Sequence, residues 1–158
     1  MTIHAIIFEK FKALLKKHFE DQLEEFDEGL HVSLRESGLW IASDDQELTV
    51  GFDRIHNHYD PRYQDVQEAI DLFFNLLTKQ IRITQYYKGA FAYKYTVDIV
   101  FDETEFETFG TAGTWLFPYW KRTTEKTSIV ERLIEPSELE QDFIELKKYL
   151  SHENLSQP

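Results

Sequence analysis

The sequence predicts an α+β fold, in which an antiparallel sheet of about five to seven strands carries three helices, packed mainly on one face, in the order α-β-β-β-α-β-β-β-β-α. Three observations lead to it. The odd positions from Phe91 to Phe101 are all apolar or aromatic, which is the period of a half-buried strand. Val66, Ala69, Ile70, Phe73, Phe74 and Leu77 recur at the three-four spacing of one helical face. Turn residues separate the short alternating runs by only a few positions, so sequential strands pair antiparallel.

The first element is a helix over residues 6–19, with Ile7, Phe11, Leu14, Leu15 and His18 on one face. An acidic stretch and Gly29 end it. Three strands follow. Leu30, Val32 and Leu34 alternate with polar neighbours, Ser37-Gly38 turns the chain into Leu39-Trp40-Ile41, and Leu48, Val50 and Phe52 alternate after the Asp44-Asp45 turn. The segment Arg54–Asp60 reads as a polar loop. Asp60-Pro61 offers a capping carboxylate and a first-turn proline for the second helix.

The long strand over residues 91–101 follows a hairpin turned by Lys88-Gly89. Asp98 points off its apolar face and reads as solvated. Gly110-Thr111-Ala112-Gly113-Thr114 reads as the next hairpin loop. Trp115–Arg122 and Ser128–Ile134 are expected strands, the first at an edge because Pro118 cannot donate to a ladder. Ser137 and Glu140 have capping-box spacing for a last helix carrying Leu139, Phe143, Leu146 and Leu150. Residues 1–150 read as one domain and 151–158 as a polar, frayed tail.

The 158 residues contain 17 basic and 29 acidic side chains, a formal charge of -12. Such a surface repels nucleic acid and anionic membranes and attracts basic partners. There is no cysteine, so disulfides and thiolate chemistry are excluded. The apolar start meets charge at Glu9 and Lys10, unlike a signal peptide or a span, and the protein is expected in the cytoplasm.

Catalytic motifs are incomplete. No Gly-x-Ser-x-Gly elbow and no phosphate-binding loop with its lysine occurs. His56, His58 and Asp60 match part of the metallo-β-lactamase HxHxDH pattern, but Pro61 stands where the next histidine belongs. A metal-dependent hydrolase centred there is therefore the alternative reading. The favoured one is a binding protein that is not an enzyme and holds no metal or cofactor. Trp115–Arg122 carries rings on both faces, which suits a binding surface, a second core layer or a homodimer contact.

Gly38-Leu39-Trp40-Ile41, Glu47-Leu48-Thr49-Val50-Gly51-Phe52-Asp53 and His56-Asn57-His58-Tyr59, followed by an amphipathic helix, resemble a pattern in bacterial immunity proteins of polymorphic-toxin and contact-dependent growth inhibition systems. The likeness covers about a quarter of the chain. It implies binding of a cognate toxin domain, often a nuclease, by occlusion of its active site. A basic toxin domain would suit the acidic surface. The expected contact residues are Asp53, His56, His58, Tyr59, Asp102, Glu103, Glu105, Glu107, Tyr119 and Trp120.

Overall fold

The computed structural model describes residues 1–60, 62 and 65–156. The α+β class holds, with antiparallel strands and helices α1 (Ile3–Phe19), α2 (Val66–Thr78) and α3 (Pro136–Ser156). The strands divide between two sheets rather than one. The first is a plain meander of β1 (Leu23–Phe26), β2 (His31–Leu34), β3 (Leu39–Ser43), β4 (Leu48–Phe52) and β5 (Ile55–Tyr59). The second contains β6 (Gln80–Lys88), β7 (Phe91–Val100), β8 (Phe106–Gly113) and β9 (Thr123–Val130), in the order β8-β7-β6-β9.

One apolar cluster joins both sheets and all three helices. Ile7, Phe11 and Leu15 of α1 and Ala69, Ile70 and Phe73 of α2 are fully buried. Phe11 stacks on Phe73 with centroids 3.9 Å apart, locking the two helices together. Val32, Ile41, Val50, Val97 and Ile99 supply the sheets' inner faces, as their period of two requires. The last helix is tied to α1 through Asp142, which accepts from Lys17 at 2.8 Å and meets His18 at 3.1 Å.

Several local expectations are corrected. The acidic stretch after α1 contains β1, which pairs with β2. Arg54–Asp60 is not a loop: its centre is β5, in register with β4. The second helix starts at Val66 under Asp65, whose carboxylate accepts the Gln67 N–H at 2.8 Å, not under Asp60; Pro61 lies outside the described residues. Gly110–Gly113 belongs to β8, where polar residues alternate across a sheet edge, and is not a hairpin loop. Trp115–Arg122 is the connection to β9 and not a strand, and the last strand lies upstream of Ser128–Ile134, over Thr123–Val130. At α3 the reach-back contact is Glu138 accepting from the Glu135 N–H at 3.3 Å, two residues before the Ser137–Glu140 pair. The final helix runs through Ser156.

Asp98 is another correction: it is buried, 6% exposed. Its outward face is covered because Arg82 on β6 donates to it at 2.8 and 3.0 Å and Thr108 on β8 at 2.8 Å. Arg82 in turn lies 4.3 Å from the Phe106 ring centroid, which roofs the pair.

Candidate functional site

The outer face of the first sheet carries a continuous row of rings. Cross-strand register sets Phe26 opposite His31 and Gly51 between Trp40 and His56. Their centroids follow in sequence: Phe26–His31 5.8 Å, His31–Trp40 5.2 Å, Trp40–His56 5.4 Å and His56–His58 4.8 Å. Gly51 makes the row continuous. A Cβ there would lie 2.2 Å from Cε2 of Trp40, so the indole lies flat on bare backbone. The indole N–H donates to the Asp53 carbonyl at 3.0 Å.

Asp53 turns β4 into β5 with φ 51, in the left-handed region that short polar residues tolerate. Its carboxylate accepts the Tyr95 hydroxyl from the second sheet. Burial raises the Tyr95 pKa above the ordinary phenol value, and the hydrogen bond to Asp53 and its charge raise it further. The phenol therefore remains a donor, and the contact fastens this turn to the second sheet. Asp53 is thus committed to structure.

His56 and His58 are exposed neighbours. Nδ1 of His58 is engaged by Glu47 and lies 3.2 Å from the Thr49 hydroxyl. Asp60 does not join them. Arg62 donates to its carboxylate through Nε and Nη2, at 2.6 to 3.1 Å, and holds its pKa below the usual carboxylate value. Among the described residues, no three histidines or carboxylates converge as a metal cluster would require. The donor set expected for a metal hydrolase does not fit.

Tyr59 and Glu107 come together in a different place. A cleft of about 420 Å³ opens between β5, β8 and α2, lined by Asn57, Tyr59, Glu68, Asp71, Asn75 and Glu107. The close approach of β5 and β8 depends on Gly110, where a Cβ would lie 2.3 Å from Cγ2 of Ile55. Asp71 meets Lys147 at 3.0 Å. Glu68 and Glu107 form no salt bridge among the described residues. Tyr59 is only 4% exposed, so it forms part of the cleft wall and does not present a ring to a partner. Burial raises its pKa, and the charges of Glu68 and Glu107 add to the rise. The electrostatics of this cleft favour a cation.

The remaining expected residues lie apart. Asp102 closes the β7–β8 turn, accepting the N–H of Thr104 at 2.7 Å and of Glu105 at 2.8 Å, and those bonds lower its pKa. Glu103 and Glu105 stand exposed on that turn. Tyr119 and Trp120 pack edge to face, 5.3 Å apart, on the β8–β9 loop at the other end of the second sheet. Sequence reasoning passed over Glu68 and Asp71, although their spacing on the polar side of α2 put both on one face. A groove of about 460 Å³ between α2 and α3 is mainly apolar, with Glu140 its one carboxylate among the described residues, and offers no comparable chemistry.

Fold and site together define an α+β domain of two antiparallel sheets whose cleft carries negative charge. No family model, no curated protein and no solved structure matches the chain. No helix among the described residues is long and apolar enough to cross a membrane.

Proposed function

We propose that this is a binding protein of the immunity type, which neutralises a basic toxin domain, a nuclease by expectation, by covering its substrate groove. The observation that carries the reading is the cleft between β5, β8 and α2. There Glu68 and Glu107 face a space of about 420 Å³ with no basic partner of their own among the described residues. A lysine or arginine from a nucleic-acid-binding groove would satisfy both charge and size. The exposed Glu103 and Glu105 extend the negative field beyond the end of β8 and would steer the encounter.

The test is complex formation with the toxin domain encoded beside this chain. A 1:1 complex is expected, with an association rate that falls steeply as salt rises. Glu107→Lys should weaken it about 30-fold, the effect of placing like charges at a contact worth roughly 2 kcal/mol. Cells expressing the neighbouring toxin but gaining no protection from this chain would sink the proposal. The hydrolase alternative draws on the adjacency of His56 and His58 alone, and stoichiometric zinc in purified protein is the result it needs.

A further inference from the structure

The loop from β8 to β9 crosses the whole end of the second sheet, because those strands occupy its opposite edges. Three strand spacings make that span on the order of 14 Å. The loop is fastened on both sides of the β6–β7 turn: the Thr114 N–H donates to the Tyr93 carbonyl, and the Gly89 N–H donates to the Arg122 carbonyl, both at 2.9 Å. Between these points Phe117 packs on Tyr93, with centroids 4.5 Å apart. A turn closes from the Lys121 N–H to the Pro118 carbonyl at 3.0 Å. With Phe117 and Pro118 tucked in, the other large side chains are turned out. Trp115 is 87% exposed, Leu116 71%, Tyr119 74% and Trp120 73%.

Charge is segregated around this loop. No acidic residue occurs from Leu72 to Val97 or from Thr108 to Thr124. Those two stretches bring Lys88, Lys94, Lys121 and Arg122 to the aromatic end of the sheet, where they outnumber Glu125 of β9, which stands opposite Tyr86. Asp102, Glu103 and Glu105 stand at the opposite end, beyond the ten residues of β7. That length is about 33 Å, several times the screening distance of about 8 Å at physiological salt. The net charge of -12 argues against an anionic surface only if it is spread evenly, and it is not.

We infer that this end of the second sheet docks on an anionic lipid bilayer. Trp115, Leu116, Tyr119 and Trp120 enter the headgroup region, and Lys88, Lys121 and Arg122 meet the lipid phosphates. Tryptophan and tyrosine favour that boundary because each has an apolar body and a polar tip. Anionic headgroups draw basic side chains set beside such anchors. The four side chains project clear of their own chain instead of lining a groove, a shape suited to a deformable medium. This inference does not rest on the acidic cleft, which lies along β8 away from the loop, and the two can fail separately.

The full chain should sediment with vesicles of three parts phosphatidylcholine to one part phosphatidylglycerol, and much less with phosphatidylcholine alone. Two of its three tryptophans lie on the loop, so binding should shift the fluorescence to the blue. Neutralising Lys121 and Arg122 by glutamine should lower partition about fivefold for each charge removed. The double variant Trp115→Ser, Trp120→Ser should no longer sediment with the anionic vesicles while its circular dichroism stays that of the parent. No partition onto the anionic vesicles overturns the inference, as does partition that survives the double serine variant. Light scattering that shows a dimer lost in the same variant would assign the loop to a second copy of the chain, and would also overturn it.

Discussion

At the scale of single residues, the ring row depends on an atom that is missing. Trp40 lies where the β-carbon of residue 51 would be, so Gly51→Ala must displace an indole held by its bond to Asp53. Overpacking of this kind costs about 1 to 3 kcal/mol. The midpoint of urea unfolding should fall accordingly, with the slope unchanged. His31 and Trp40 fell in expected strands and His56 and His58 in an expected loop, and nothing in the sequence announced the row, because adjacency across strands depends on register. Asp98 was misread for a related reason. Alternation sends it away from the core, but Arg82 and Phe106 arrive from neighbouring strands to cover it.

Whole elements were legible where one period dominated. The stripe on α2 and the alternation of β7 are unambiguous because burial selects one face. The start of α2 was harder: the sequence suggested Asp60 as its cap, but Asp60 accepts the Arg62 N–H before the helix, and Asp65 accepts the helix N–H. Asp65→Ala should therefore destabilise the protein by about 1 kcal/mol, measured by thermal or urea unfolding, and Asp60→Ala by clearly less. The aromatic loop and β8 were exchanged. Trp115–Trp120 has the residue types of a strand but no alternation, whereas β8 has a strand's geometry in small and polar residues at an edge. Of the expected contact residues, Glu107 lines the cleft, Tyr59 forms its wall, and the others lie outside it.

Across the whole molecule, the division into two sheets was hidden because β9 pairs with β6, a partner more than thirty positions away, and local pattern does not encode such pairings. Charge likewise has a distribution that its sum conceals. Glu25, Asp44, Asp60, Asp102 and Asp142 all have pKa values lowered by folding. For Asp142, burial works the other way, and the bonds from Lys17 and His18 outweigh it. A lowered carboxylate stabilises the fold above its unfolded pKa of about 3.9, and that contribution is lost as pH falls through the folded value. Self-repulsion among 29 acids is relieved over the same range, so a variant is needed to separate the two. Asp102→Asn keeps an acceptor in the turn without its titration. The parent should exceed it in unfolding midpoint at neutral pH, and the gap should close as pH falls below about 3.

The place of β9 at the margin of its sheet has a consequence for self-assembly. One side of this eight-residue strand leaves its amide and carbonyl groups open, which is a template for the addition of another chain. Thr123 to Ser128 fill it with hydroxyls and the opposed charges of Glu125 and Lys126, and apolar residues enter only at Ile129 and Val130. A strand added there would have to strip water from those groups, with few apolar side chains to pack in return. The open margin is guarded against fibrillar growth by its side chains, since no described strand pairs with it.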